Sequence, residues 1–343
     1  MIKKIILIIT ITITSIISTG CWNYYELSDL AIITSIGIDK VDDNFQLSLV
    51  IANTSGESSG TEISAKTTIL TGIGKTMNEA FIDAKTKSSK EIYTGHFKLL
   101  LISEEVANEN MYEVLESILR NPESIRKVAF VITKDKTSNE ILKTLSPLET
   151  FPSETILLNI RNSVNSIGIS HEVNISDFVY NIVNYGIDNI LPTITLDGTN
   201  NENSTESLKE IEMESVLKVG DLALLKDYKI VGYLDYENSK YINILTNNVT
   251  SLTTNISCYN DLGKYISIKI DDPKTKINLD TNTLKYEFDV KAEGSIYETN
   301  CKLDLKDYKV IKKIEDSIRS HIYSNLKDTI NLIKDSSEIP DSF

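Results

Sequence analysis

Histidine, cysteine and tryptophan are scarce in this chain of 343 residues, which contains three, three and one of them respectively. His96, His171 and His321 lie in unrelated segments, with no H-x-x-x-H spacing and no cysteine beside them, so no metal site is predicted. Two of the cysteines, Cys258 and Cys301, lie in the carboxy-terminal half. A disulfide between them and two buried free thiols are both open alternatives.

Basic residues are also in short supply. The chain has 35 Lys and Arg residues against 49 Asp and Glu residues, which gives a net charge of -14 at pH 7. Such a surface repels phosphate groups, so nucleic acid is excluded as a partner. It also repels anionic lipid headgroups, and we therefore expect the folded body to stand off a membrane to which the chain is attached.

The apolar run near the amino terminus is too short to span a bilayer. It covers 13 residues, Ile5 to Ile17, whereas a membrane-spanning helix needs roughly 20. Lys3 and Lys4 precede the run and Ser18-Thr19-Gly20 joins it to Cys21, as in a bacterial lipoprotein signal. We therefore predict a signal peptide at 1–20 and a lipid-modified Cys21, held on the extracytoplasmic side by acyl chains such as palmitate. Because an aliphatic residue is usual where Ser18 stands, a secreted protein and an uncleaved signal anchor are the alternatives.

Two short motifs resemble catalytic or nucleotide-binding signatures. Gly56-Glu57-Ser58-Ser59-Gly60 has the spacing of a nucleophile elbow, but it lies in a polar loop and not between a strand and a helix. Gly74-Lys75-Thr76 resembles the end of a phosphate-binding loop, but that motif's first glycine would fall on Ile69. We interpret it as a turn followed by a helix cap. No catalytic residue and no cofactor are predicted, so the chain is not expected to be an enzyme.

The spacing of apolar residues predicts a multidomain α+β fold with mixed sheets flanked by helices. In the first half, strands are predicted at Leu30–Ile38, Phe45–Ala52, Phe97–Ile102 and Val128–Ile132. Helices are predicted after the caps Thr76, Thr137 and Asn174, and one more from Glu104 to near Asn121. A polar stretch at 198–210 predicts a linker between an N-terminal region, 21–197, and a C-terminal domain, 211–343.

Beyond the linker, closely spaced strand candidates are followed by a long amphipathic helix. The strands are predicted at Leu222–Leu225, Lys229–Leu234, Tyr265–Ile270 and Leu284–Val290. A single apolar stripe predicts the helix, made of Val310, Ile311, Ile314, Ile318, Ile322, Leu326, Ile330 and Ile333. We expect this helix to lie across the last sheet.

Several segments resemble the C subunits of spore germinant receptors. The string from Cys21-Trp22 to Gly37-Ile38-Asp39-Lys40 is similar to the start of the mature subunits. Further similar blocks follow in the same order, at 74–80, 93–98, 119–123 and 231–234. The resemblance therefore covers nearly the whole chain.

The resemblance implies an elongated lipoprotein of several α+β domains on the spore inner membrane, in a family not known as enzymes. It implies action beside a polytopic A subunit and a transporter-like B subunit in sensing germinants such as amino acids or sugars. The family usually continues past the terminal helix into closing strands, whereas this chain ends at Phe343, so a shortened last domain is expected. The alternative function is an extracytoplasmic ligand-binding lipoprotein of a transport system, although such proteins have two similar lobes and these halves differ.

Five residues are candidate partner contacts: Trp22, Tyr93, His96, Lys98 and Arg120. Most have a simpler structural interpretation as well. His96 can be a satisfied polar group before a buried strand, with Gly95 supplying the turn, and Arg120 can complement a helix dipole.

Overall fold

A computed structural model describes residues 2–17, 26–53, 67–120, 127–184, 187–198, 215–258, 263–283 and 285–337. The helices are α1 Ile2–Ile17, α2 Met77–Thr86, α3 Glu104–Glu109, α4 Met111–Arg120, α5 Ser138–Lys143, α6 Pro152–Asn162, α7 Ile175–Val183, α8 Tyr236–Leu245 and α9 Tyr308–Ser337. The strands are β1 Leu30–Val41, β2 Asn44–Ala52, β3 Thr67–Gly74, β4 Glu91–Tyr93, β5 Leu99–Ser103, β6 Ala129–Thr133, β7 Asn189–Gly198, β8 Ser215–Lys226, β9 Lys229–Leu234, β10 Ser251–Ser257, β11 Tyr265–Asp280 and β12 Lys285–Thr299. The predicted α+β class, with mixed strands and a long terminal helix, is confirmed.

A large mixed sheet organises the first two thirds of the chain. Its strand order is β3-β2-β1-β5-β6-β7-β8-β9, and β4 pairs with the start of β1. Strands β1, β5, β6 and β7 are parallel neighbours, whereas the strands at both ends of the sheet are antiparallel. The parallel centre explains why β5 and β6 are buried along their whole length.

Helices cover both faces of this sheet. On one face, α2, α3, α4 and α7 contribute to a cluster that includes Ala80, Val106, Leu115 and Phe178. On the other face, α5 and α6 pack Ile141 and Ile156 against β5 and β6. The sheet is therefore the central layer of the larger part of the molecule.

A buried carboxylate joins strand β1 to helix α5. Asp39 is 1% exposed, and its two oxygens accept hydrogen bonds from the backbone N–H groups of Ser138, at 2.6 Å, and Asn139, at 2.9 Å. These are the first N–H groups of the helix, which have no partner inside it. Gly37 makes the contact close, because a Cβ there would lie 2.7 Å from Leu142 and 2.9 Å from Ser138.

Burial raises the pKa of the Asp39 carboxyl, and the hydrogen bonds from Ser138 and Asn139 only partly oppose it. A carboxyl whose pKa is higher in the folded than in the unfolded state is less costly to bury when protonated. The stability that comes from keeping this carboxyl protonated is therefore fully present below the unfolded pKa and is lost as the pH rises through the folded pKa, whereas an ionised Asp39 still accepts the two backbone hydrogen bonds.

The second sheet contains β10, β11 and β12 in that order, all antiparallel. Helix α9 lies against it through the predicted stripe, with Val310, Ile314, Ile318 and Ile322 in one cluster with the apolar residues of the sheet. Further along α9, Leu326, Ile330 and Ile333 also reach Leu222 and Leu234 of the large sheet. The terminal helix thus packs on both sheets, whereas only the last sheet was predicted.

Cys258 and Cys301 form a disulfide, with their Cα atoms 6.0 Å apart. The bond links the residue after β10 to the segment that leads into α9. Of the two alternatives that the sequence left open, the structure has the disulfide. The closed loop, with a sequence separation of 43, restricts the conformations open to the unfolded chain and so lowers its entropy.

Other predictions differ in detail. The single helix predicted from Glu104 is wrong, since α3 ends at Glu109 and α4 begins at Met111, with Asn110 between them. Most of the predicted linker, 198–210, lies outside the described residues, and the boundary stays a prediction. The strands on either side of it, β7 and β8, are antiparallel neighbours in one sheet. Within the described ranges, no helix is long and apolar enough to cross a bilayer.

Replacing Asp39 with alanine tests the link between β1 and α5. The change leaves two buried N–H groups without acceptors, and we expect the free energy of unfolding at pH 7 to fall by about 1–3 kcal/mol. Urea denaturation followed by circular dichroism measures it. Glu109→Ala, which removes an exposed carboxylate from α3, is the matched control and should change stability by no more than about 0.5 kcal/mol. Equal effects of the two substitutions would show that the Asp39 link contributes nothing.

Candidate binding groove

A groove of about 840 Å³ lies between α2 and α4, on the face of β1 and β2. Its floor is apolar and is formed by Ile36 and Ile38 of β1 and by Phe45 and Leu47 of β2. The two helices form its walls, with Met77 and Phe81 of α2 and Glu113, Glu116, Ser117, Ile118 and Arg120 of α4. A concave, mainly apolar surface of this volume is within the size range of small-molecule sites.

Two glycines of β3 allow α2 to approach the sheet this closely. A Cβ at Gly72 would lie 1.9 Å from the carbonyl oxygen of Ala80, and one at Gly74 would lie 2.4 Å from its backbone nitrogen. The helix begins at Met77, after the predicted cap Thr76, whose hydroxyl accepts a hydrogen bond from the N–H of Glu79 at 3.2 Å. The Glu79 carboxylate bonds the N–H of Lys75 and not that of Thr76, so the predicted capping box is displaced by one residue.

The groove carries charges of both signs. Lys40 lies 4.3 Å from the centre of the Phe45 ring, a cation–π contact, whereas the ammonium group of Lys75 has no ion pair among the described residues. On the facing wall, Glu116 holds Arg120 in an ion pair of 2.6 Å and raises the pKa of its guanidinium. The groove thus places ammonium groups opposite a helix that bears carboxylates.

Asn110, at the break between α3 and α4, also lines the groove. Its amide nitrogen donates a hydrogen bond to the Glu113 carboxylate. The oxygen of the same side-chain amide is buried and accepts no hydrogen bond from the described residues. A buried acceptor without a partner costs about 1–3 kcal/mol, so this oxygen is a local cost of the break between the two helices.

Of the four predicted contact residues that the structure describes, only Arg120 lines the groove. Arg120 lies on its wall, and Thr94 and Phe97 line it. Tyr93, His96 and Lys98 are exposed beside these two residues and are not part of the lining, and the Tyr93 and His96 rings lie 5.5 Å apart. The ring of Tyr93 covers Gly95, whose Cβ would lie 2.5 Å from it. Cys21 and Trp22 lie outside the described residues.

The other histidines make structural contacts. The buried ring of His171 is 2.9 Å from the side-chain oxygen of Asn243, and burial lowers the pKa of His171. His321 of α9 lies 3.1 Å from the hydroxyl groups of Tyr241 and Thr254. In the described part of the chain, no three His, Cys, Asp or Glu side chains are grouped so that they could hold a metal ion. The motif at 56–60 lies outside the described residues.

Two family models match most of the sequence. Residues 23–196 match the spore germination protein N-terminal domain, and residues 220–339 match the spore germination B3/GerAC-like C-terminal region. The chain belongs to the GerAC family of spore germination proteins. The predicted resemblance is thereby confirmed over both halves.

Individual family members are distant in sequence. Spore germination protein KC of Bacillus subtilis strain 168 is 25% identical over 351 residues, which cover 97% of this chain and 84% of that protein. Spore germination protein GerQC of Bacillus cereus is 23% identical, over 88% of this chain and 79% of that protein. The crystal structure of the GerBC protein shares the fold, with a TM-score of 0.50 and 14% identity over 86% of this chain and 80% of that one.

Sequence reasoning missed most of the groove. Lys75 and Glu113 are separated by 38 positions in the sequence, and only the placement of α2 and α4 on one face of the sheet makes them part of one site. One part of the groove, the close packing of α2, does have a signal in the sequence. The glycines at 72 and 74, just before the cap at Thr76, indicate a helix packed closely on the preceding strand.

The close packing of α2 can be tested with Gly72→Ala. The added methyl group meets the backbone of Ala80 and Ala84, so α2 must shift, and we expect the free energy of unfolding to fall by about 1–3 kcal/mol. Gly294→Ala is the matched control, because its nearest non-neighbouring atom would be 3.7 Å away. Thermal and urea unfolding measure the stability of both variants. Equal stability of the two variants would contradict the proposed role of Gly72.

Proposed function

We propose that this chain is the membrane-anchored lipoprotein subunit of a nutrient germinant receptor and is required for the spore germination response. The observation that carries the proposal is the family match, which begins at residue 23, two residues after Cys21. In this proposal the chain acts outside the cytoplasm, on the spore inner membrane, through binding and not through catalysis.

The proposed partners are the polytopic A subunit and the transporter-like B subunit of the receptor, together with the bilayer that holds the acyl chains of Cys21. Only residues 22–25 separate Cys21 from the first described residue of the body, Glu26. Five peptide units reach at most about 18 Å, so Glu26, which lies four residues before β1, would be within that distance of the anchored Cys21. A body held at this distance can contact the extracytoplasmic parts of polytopic subunits.

Cys21→Ala tests the anchor. Without the thiol no acyl chain can be attached, so we expect the protein to leave the spore membrane fraction and germination through its receptor to weaken, while the body still folds. Immunoblots of fractionated spores and nutrient-germination assays measure the two effects. Ser18→Leu, which restores the usual aliphatic residue of the signal, is the matched control and should preserve both. A Cys21→Ala protein that stays in the membrane fraction would identify an uncleaved anchor.

The groove favours a second candidate function, the binding of a small molecule by this chain itself. Its apolar floor and its charges, with Lys75 on one side and Glu113 on the other, suit a small zwitterion with an apolar body. This role is compatible with a receptor subunit.

Calorimetric titration of the detergent-solubilised full chain with apolar amino acids tests this role. Ser117→Trp puts a bulky ring into the groove and should abolish the heat of binding, whereas Ser320→Trp, on the exposed side of α9, should leave it unchanged. Absence of heat with the unsubstituted chain would exclude ligand binding by the groove and leave the receptor-subunit proposal in place.

A further inference from the structure

The hairpin formed by β11 and β12 extends beyond the second sheet as a two-stranded arm, residues 276–289. All described residues of this arm are exposed, so both of its faces are open to solvent. In the same hairpin, Ile266, Ile268 and Ile270 are buried. Two strands without cover are marginal in water. The described part of the chain therefore leaves the surface of the arm uncovered.

One face of the arm is apolar. Ile277 is the cross-strand neighbour of Phe288, and Leu279 is that of Tyr286, so the four side chains lie together on one face. Their exposed fractions are 53%, 37%, 45% and 65% in that order. A contiguous exposed patch of this kind marks an interaction surface.

The outer edge of β12 is also open. This strand has 15 residues and pairs only with β11 within the described ranges. About half of its N–H and C=O groups therefore point away from the sheet, and an extended strand can bond to them. The natural occupant of such an edge is another β-strand.

The charges of β12 indicate which strand fits. Its polar face carries, at every second position, Lys285, Glu287, Asp289, Lys291 and Glu293. If a second copy of β12 runs antiparallel about a two-fold axis at Asp289, Lys285 faces Glu293 and Glu287 faces Lys291, and each pair occurs twice. Only the two Asp289 side chains meet a like charge.

The same register suits the apolar face. Phe288 then lies opposite Val290 of the second copy, and Tyr286 lies opposite Ala292. Moving the axis to Phe288 places Lys285 opposite Lys291 and Glu287 opposite Asp289, which is repulsive between lysines and between carboxylates. Charge and apolar pattern thus favour the axis at Asp289 over the axis at Phe288.

We propose that β12 is a homodimerisation edge, at which two copies of this chain join their arms into a four-stranded sheet with the two-fold axis at Asp289. The contact is isologous, because each copy supplies the same strand. A single pair of strands buries little surface, so the dimer should dissociate on dilution. Since both arms add to one sheet, the two apolar patches become one continuous surface.

Cysteine substitution tests the register in the full chain purified in detergent. Asp289→Cys places two thiols at the axis, where facing Cα atoms are about 4.5–5.5 Å apart, so mild oxidation should give a disulfide-linked dimer. Lys276→Cys is the matched control. It faces Asp289 from β11, but its two copies are three strand spacings apart, about 14 Å, and should not crosslink. Crosslinking of both variants, or of neither, would overturn the proposal.

Charge reversal tests the same contact without cysteine. Lys291→Glu puts two pairs of carboxylates opposite each other and should weaken the dimer about tenfold in sedimentation equilibrium. Adding Glu287→Lys to the same chain exchanges both charges and should restore the affinity. Unaltered affinity in Lys291→Glu, or a monomer at every concentration, would overturn the proposal. So would crosslinking of Asp289→Cys in spore membranes to a different protein, which would identify a partner strand instead.

Discussion

The contact on which the larger part of the structure depends is the hydrogen bonding of Asp39 to the amino terminus of α5. Strand β1 pairs with β2, β4 and β5, so it is the strand through which the antiparallel and parallel parts of the sheet are joined. Asp39 fixes its end to a helix on the opposite face from the groove, and Asn139, beside it, donates to Ser48 of β2 at 2.8 Å. The burial of a carboxylate is unfavourable, and here two backbone N–H groups partly offset its cost.

The segments that carry the family resemblance are mostly packing contacts. Gly37 and Asp39 join β1 to α5, Gly74 makes room for α2, and the ring of Tyr93 covers Gly95. In the block at 231–234, the Tyr233 hydroxyl donates to Glu104 while the ring lies 4.3 Å from the Lys134 ammonium. Burial first, and then Glu104, raise the pKa of Tyr233. These contacts hold the strands and helices of this chain together in a fold that it shares with GerBC at 14% identity.

Patterns of neighbouring residues predicted those helices and strands whose formation depends on residues close together in the sequence. The caps at Thr137 and Asn174, strands β1 and β2 and the stripe of α9 were all found, because side-chain spacing and capping hydrogen bonds act within a few residues. Helices α6 and α8 were missed, since α6 begins at Pro152 without a side-chain cap and α8 buries polar residues such as Asn243. The groove could not be predicted in this way, because its location follows from the order of the strands in the sheet, and that order depends on pairings between strands that are distant in the sequence. The arm shows the same limit, because the alternation in β12 predicts a strand but not what lies beside it.

The central claim is that this chain acts as the lipid-anchored subunit of a receptor with polytopic partners. Purification of the tagged chain from detergent-solubilised spore membranes, followed by mass spectrometry after crosslinking in intact spores, tests it most directly. If the claim is right, the polytopic A and B subunits are recovered with the chain, with crosslinks to its folded body. Recovery of the chain without either subunit, from spores in which both are present, would contradict the account.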